Sequence, residues 1–243
     1  MPAAALSHWR DFRNIVLFTG AGLSAECGVP TYRGAGGIWR EYNYQDYACQ
    51  RAFDRDPVQV LDFHELRRTK VLSCAPHAGH AHIRAMQAEH PGIHVITQNI
   101  DGLLQRAGVV VVAELHGSLW RLRCPVHGIR DDLAVGAYAH RHCPDCPPDR
   151  APWLRPDITW FEDAVNEAVF EHAAMLVDDA ELFVGIGTSG AVWPAAGFAE
   201  RARQRGARMV EINPENNEAS ALYGQHIRLP ASTALPEAFP IGG

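Results

Sequence analysis

The 243-residue sequence predicts an α/β fold: a parallel sheet with helices on both faces, interrupted by a helical excursion and by a small metal-stapled module. Three observations lead there. Short apolar runs alternate with stretches of helical periodicity, the rhythm of β-α-β units. The first apolar run, Ile15 to Phe18, stops at Thr19 and is followed by Gly20, Gly22 and Ala25 at the spacing G-x-G-x-x-A of a strand, a tight turn and a helix N-terminus. Between Leu122 and Arg155 the apolar periodicity fades and Cys, His, Pro and Asp take over, so this stretch needs a metal where a hydrophobic core is missing.

Taken in order, the strand Ile15 to Phe18 and its glycine turn form a candidate dinucleotide cradle, because glycine lets backbone approach a pyrophosphate and the helix N-terminus favours its charge. Residues 34 to 76 break the rhythm. The loop Gly34-Ala-Gly-Gly37 leads into the aromatic-rich Trp39 to Tyr47 and a helix over Val58 to Lys70, where Val60, Leu61, His64 and Arg67 or Arg68 are helical neighbours. A second unit follows: a helix from His77 to His90, ended by Pro91-Gly92, and a strand from His94 to Thr97. Gln98 to Gln105 turns from a polar strand end into a helix, and Val109 to Ala113 is a strand. After the cysteine-rich stretch come a helix around Ala164 to Val177, strand Leu182 to Gly187, helix Pro194 to Arg205, strand Arg208 to Ile212 and a final strand His226 to Leu229. The expected division is a nucleotide-binding domain of residues 1–33, 77–119 and 156–243, a cofactor loop and helical insert of 34–76, and a metal module of 120–155.

Composition sets bounds on function. Hydrophobic residues make up 47% and charged residues 21%, as in an ordinary globule. The net charge of −6 disfavours a nucleic-acid partner, since phosphate backbones are bound through clustered Lys and Arg. The segment Met1 to Arg10 has no apolar core of signal-peptide length, and no stretch approaches a membrane span. The expected location is therefore the cytoplasm, without membrane contact, where the six cysteines stay reduced and grouped cysteines speak for metal.

Ligands of an open parallel sheet sit off the C-terminal strand ends, and here those ends carry Gly20-Ala-Gly22, Gln98-Asn-Ile-Asp101, Gly187-Thr-Ser-Gly190 and Asn213-Pro-Glu215. The acid that grips a ribose about 20 residues after such glycines is missing. Asn213 and Glu215 are the candidates in its place, although Asn-Pro-Glu is also good turn chemistry. Asn99, Asp101 and His116 are the groups suited to chemistry. One of 13 histidines, His116 is singled out by its place after a strand, where an imidazole can act as a base near neutral pH. Cys124-x-x-His127 and Cys143-x-x-Cys146 offer three thiolates and one imidazole, a tetrahedral zinc set of structural type. His140 and His142 are alternatives for the fourth ligand.

Jointly these segments resemble the sirtuin family, the NAD-dependent protein-lysine deacylases. The matching stretches are Gly20 to Gly34, Thr97 to Gly102, Leu115-His-Gly117, Leu154 to Asp157 with Trp160-Phe161, Gly187 to Pro194, and Glu211 to Pro214, in family order and over nearly the whole chain. The resemblance implies a Rossmann-type domain, a small zinc-ribbon module and a cleft between them, with NAD as co-substrate, bound Zn2+ and acylated lysine side chains of proteins as substrates. It implies that Gly20, Ala21, Gly22, Ser24, Tyr32 and Arg33 line the pyrophosphate and nicotinamide side and that Gln98, Asn99, Ile100 and Asp101 form the nicotinamide pocket. Gly187, Thr188, Ser189, Asn213, Pro214 and Glu215 fall on the adenosine side, and Ala231 contacts adenine. His116 and Asn99 are the implied catalytic residues. The peptide lies between the segment at Phe161 and Glu162 and the one after Ser189.

Gly34 to Gly37 and Ala48 resemble the branch that removes acidic acyl groups such as succinyl. There a Tyr-x-x-Arg pair meets the acyl carboxylate. This chain has His64-Glu-Leu-Arg67. Arg67 remains and His64 replaces Tyr, which leaves three outcomes: the imidazole donates in its place, best when protonated, desuccinylation is weak, or the pocket is tuned to another acyl chain. An ADP-ribosyltransferase or NAD glycohydrolase, a non-catalytic NAD-sensing zinc-ribbon protein and a hydride-transferring dehydrogenase are the competing functions, the last disfavoured by the zinc knuckles and the missing ribose acid.

Overall fold

The computed structural model describes residues 6–31, 42–133 and 136–242. Its centre is a six-stranded parallel sheet. The strands are β1 (Ile15–Thr19), β2 (Ile93–Thr97), β3 (Val111–Glu114), β7 (Leu182–Ile186), β8 (Arg208–Ile212) and β9 (Gln225–Ile227), in the order β3-β2-β1-β7-β8-β9. Strand order reverses between β1 and β7. That is the topological switch point of a doubly wound sheet, where a crevice opens beyond the strand ends.

Alternation along β1 builds two cores at once. Ile15 and Leu17 pack with Ile83 and Met86 of α5 (Ala78–Glu89) and Leu235 of α9 (Ala231–Ala238). Val16 and Phe18 pack on the other face with Val177 of α7 (Glu167–Asp178) and Phe198 of α8 (Gly197–Gln204). Every residue of β1 and β7 is buried, as expected for strands covered on both faces. The short helix α1 (Ala21–Ala25) follows β1, and α6 (Leu103–Arg106) follows β2.

A second, three-stranded antiparallel sheet has the order β5-β4-β6, formed by β4 (Gly117–Cys124), β5 (Gly128–Asp131) and β6 (Arg155–Ile158). The excursion supplies α2 (Tyr44–Tyr47), α3 (Gln50–Arg55) and α4 (Pro57–Leu72). Phe53 of α3 and Leu61 and Val71 of α4 share one core with Leu119, Leu122, Leu154, Trp160 and the three knuckle cysteines. The metal module thus takes its hydrophobic contacts from the excursion, and the two are one packed body. Its sheet runs from 117 to 158, across both boundaries expected at 120 and 155. The final helix α9 was not expected; its alternating small residues gave no clear period. Gly34 to Gly37, Tyr32 and Arg33 lie outside the described residues.

One charge is buried in the sheet. Glu211 of β8 is inaccessible to solvent and accepts hydrogen bonds from Asn217 Nδ2 (2.5 Å), Ser220 Oγ (2.8 Å) and His226 Nδ1 (2.8 Å), with Arg228 Nη1 at 2.7 Å. Burial by itself raises its pKa, but the bonds from His226, Ser220 and Arg228 prevail and hold it below the ordinary carboxylate value. A depressed folded pKa gives stability that is present above the unfolded value and lost as pH falls through the folded one. Glu211→Ala should therefore lower unfolding free energy by about 3 kcal/mol at neutral pH, measured by denaturant titration, and this difference should shrink toward pH 3.

Candidate active site

The turns after β1 and β7 interlock at the switch point. Gly20 N donates to Ile186 O (2.9 Å) and Gly22 N to Gly187 O (2.8 Å). A Cβ on Gly22 would stand 2.7 Å from Gly187 Cα, and one on Gly187, which has φ +59°, would stand 2.3 Å from Leu23 N. These glycines are thus required first by the approach of two protein turns, and only through it by a ligand.

Three polar residues just past the end of β2, Gln98, Asn99 and Asp101, tie this interlock to the chemistry. Gln98 Nε2 donates to Thr188 Oγ1 (3.1 Å), and Asn99 Nδ2 donates to Gly20 O (3.0 Å) and Ser24 Oγ (3.2 Å). Asp101 Oδ1 accepts from Leu103 N (2.8 Å) and is 7% exposed. Burial pushes the Asp101 carboxyl up, against hydrogen bonds from Leu103 and Ser24. His116, between β3 and β4, places Nδ1 3.0 Å from Gln98 O. A carbonyl only accepts, so Nδ1 carries the proton and Nε2 keeps its lone pair. Burial lowers the His116 pKa below the ordinary 6.5, with the Gln98 bond opposing. A neutral ring with a basic Nε2 results.

On the β8 side, Asn213 and Asn217 both donate through Nδ2 to Thr188 O at 3.0 Å, and Pro214 and Glu215 are exposed at the rim with Ser189. Ala231 begins α9, buried against Gly79 of α5. Sequence reasoning missed Asn217 and Glu211, although a Glu inside the apolar run Arg208-Met-Val-Glu-Ile212 is a visible signal. It also missed His77, whose Nδ1 accepts from Gly79 N (2.9 Å) and caps α5 while Nε2 donates to Leu23 O (2.8 Å) in α1. Cys27, His77 and His80 come together, but both His77 nitrogens are committed, which makes it a brace for the cofactor turn.

The substrate side requires a correction. His64 has no accessible surface; its Nδ1 lies 2.8 Å from Val60 O and its Nε2 3.3 Å from Trp160 Nε1. Carbonyl and indole N–H together force Nδ1 to donate and Nε2 to accept. Burial, aided by Arg67, lowers the His64 pKa to about 3. His64 is thus a neutral core residue, not a protonated donor to an acyl carboxylate. Arg67, the next turn of α4, is half-buried, with Cζ 5.9 Å from the Phe63 ring centre, and its charge is felt at Asp101. Ala48 is buried, and its carbonyl accepts from Phe161 N (3.1 Å), bracing the strap at Phe161. Tyr44 packs on Phe161 at 4.3 Å between ring centres.

Cys124, His127, Cys143 and Cys146 converge. His127 Nδ1 lies 3.8, 3.5 and 3.4 Å from the sulfurs of Cys124, Cys143 and Cys146, and Cys124 Sγ is 3.9 Å from Cys146 Sγ. Zinc bonds of about 2.3 Å to sulfur and about 2.0 Å to nitrogen require tetrahedral edges of about 3.8 and about 3.6 Å. The four donors fit that ion, and His127 completes the set. Val126 N donates to Cys124 Sγ (3.4 Å), as in a knuckle that holds a thiolate. Four protein ligands leave no open position, so a zinc here is structural.

Interlocked glycine turns at the switch point of an open parallel sheet, a neutral histidine beside them and a Cys3His module define a dinucleotide-dependent protein of the zinc-bearing kind. The Sir2 family model matches residues 20–194. An NAD-dependent protein deacylase of Aquifex aeolicus is 35% identical over 232 residues, 93% of this chain and 94% of the relative. The mitochondrial NAD-dependent protein deacylase sirtuin-5 of Canis lupus familiaris is 36% identical over 263 residues, 96% and 85% of the two chains. A solved Sir2 homologue in complex with NAD superposes with a TM-score of 0.84 at 30% identity, covering 98% of this chain and 95% of that one. Another, a mutant in complex with ADP-ribose, gives 0.84 at 31% identity, covering 94% and 91%. The chain belongs to the Sir2 family.

Elemental analysis of the purified protein should return close to one zinc per chain. His127→Ala should lower zinc retention and the melting temperature together, and chelation should open the sheet of residues 117–158 to amide exchange while leaving β1 and β7 protected.

Proposed function

We propose that the protein is an NAD-dependent protein-lysine deacylase that transfers the acyl group to ADP-ribose. The observation that carries this is the His116–Gln98 hydrogen bond, which leaves a basic Nε2 beside the interlocked cofactor turns. NAD supplies a ribose carbon made electrophilic by departure of nicotinamide, and with one water consumed to release the amine the products are nicotinamide, free lysine and O-acyl-ADP-ribose. Asn99 and Ser24 hold the turn at Gly20, and Asp101 stands in the same buried pocket to orient the departing base. The substrate amide oxygen is a weak nucleophile, and the cleft walls from Phe161 and from Ser189 give it its position. His116 Nε2 then takes the proton of a ribose hydroxyl. The relatives' names support acylated proteins as the substrate class. Six cysteines with no disulfide among them support a reducing compartment, the cytoplasm.

His116→Ala should reduce turnover by roughly 10²- to 10⁴-fold, and the acidic limb of kcat/KM should fall below the ordinary histidine value, because the lowered pKa keeps Nε2 unprotonated to lower pH. Mass analysis after incubation with NAD and an acylated peptide decides between the reactions. Nicotinamide release that needs the peptide and yields O-acyl-ADP-ribose supports deacylation, whereas peptide-independent release would establish the glycohydrolase instead.

Arg67 is the group suited to an acidic acyl chain such as succinyl, through two parallel N–H donors. Arg67→Met should lower desuccinylation about tenfold or more relative to deacetylation. With His64 neutral throughout, the ratio of the two activities should stay flat from about pH 6 to about pH 9. A ratio falling with pH would return His64 to the site.

A further inference from the structure

A buried cation joins the metal module to the pocket at residues 98–101. Arg68 has no accessible surface, and its guanidinium lies between two rings, 4.9 Å from the centre of Trp120 and 4.4 Å from that of Tyr138. It donates to Leu119 O (3.2 Å) in β4 and to Asp132 O and Oδ1 (both 3.1 Å) just past β5. Asp132 is itself buried, donates N–H to Trp120 O (2.8 Å) and accepts from Ala139 N (3.0 Å) through Oδ2. Arg68 therefore clamps α4, β4 and the loop leading to the Cys143 knuckle.

The residues it clamps hold the pocket. Leu119 N donates to Ile100 O (2.9 Å), and Trp120 Nε1 donates to Asp101 O (2.7 Å). Gly102, at φ +75°, leaves no room for anything else: a Cβ there would stand 2.6 Å from Trp120 Nε1. Two successive carbonyls of the segment are thus fixed by β4, at the strand positions that Arg68 holds from behind. A buried ion pair contributes little net stability over apolar residues of equal volume, because desolvation offsets the attraction. The position of the clamp gives it a different use.

We propose that Arg68 is a positioning residue for the nicotinamide pocket, acting through Leu119 and Trp120 on the carbonyls of Ile100 and Asp101, and that it makes the pocket's geometry depend on the folded metal module. The proposal rests on the assignment of residues 98–101 to nicotinamide. Its neighbour Arg67 is only half-buried, so the two adjacent arginines lie in different surroundings.

The test uses the zinc-loaded full chain and compares Arg68→Lys, Trp120→Phe and their combination with the parent. Lysine keeps the charge but loses the planar fork and the ring stacking, and phenylalanine keeps an aromatic face for Arg68 while removing the indole donor and part of the ring. The inhibition constant of nicotinamide should rise about five- to tenfold in each single variant, with the KM for acyl-peptide within about twofold. The double variant should show less than the product of the two effects, as residues of one relay do. Amide exchange at Leu119 and Leu103 should quicken in both. An unchanged nicotinamide constant alongside a lower melting temperature would overturn the proposal and leave Arg68 a purely structural residue. Asp101→Asn separates the two layers: if it shifts nicotinamide inhibition while Arg68→Lys and Trp120→Phe do not, the relay fails alone. If Asp101→Asn also leaves inhibition unchanged, the assignment of the pocket falls and the relay with it.

Discussion

The site depends on the contact of two backbone turns at the switch point, Gly20–Gly22 against Gly187–Thr188. Parallel pairing of β1 with β7 brings their C-terminal ends level, and the two turns then approach closer than any side chain allows. Everything polar nearby is fastened to this junction. Gln98 reaches Thr188, Asn99 reaches Gly20, and Asn213 and Asn217 share the Thr188 carbonyl. Among the described residues these hydrogen bonds close within the protein and hold the turns in place.

The second constraint is where His116 stands, in the short connection from β3, the edge strand of the parallel sheet, to β4 of the antiparallel one. Its ring is held by Gln98 from the nucleotide side, and its carbonyl accepts from Thr159 N (2.9 Å) on the module side. An imidazole held from both bodies keeps its orientation only while the two stay packed. The core that α3 and α4 share with the cysteine module, with buried Arg68 at its centre, maintains that packing. The metal ligand Cys124 closes β4, so a zinc bound there would hold the strand's end in place.

Much of this was legible in the residues. The apolar runs at Ile15, His94, Leu182 and Arg208 marked the strands because a sheet covered on both faces needs unbroken apolar segments. The glycine spacing after β1 marked the cofactor turn, and the two x-x knuckles marked the metal. The antiparallel sheet was not legible, because β4 and β6 carry charges such as Arg121, Arg123 and Asp157 that pair with one another and blur the alternation. Nor was α9, where small residues give no clear apolar period and Pro236 inside the span argues against a helix.

The sequence by itself determined the strands of the parallel sheet with their turns, the three thiolates of the metal site and the identity of the candidate base, since each depends on residue type and local spacing; that His127 and not His140 or His142 completes the thiolates was decided by the fold. Tertiary structure decided which groups are available for chemistry. His64 and Arg67 sit one helical turn apart in a promising pair, yet Val60 and Trp160 occupy both nitrogens of His64 and burial keeps it neutral. Arg67 and Arg68 are adjacent and alike in sequence, and the helix leaves one half-exposed and buries the other completely. Tautomer, protonation and direction are set by neighbours distant along the chain, and only packing brings those neighbours into place.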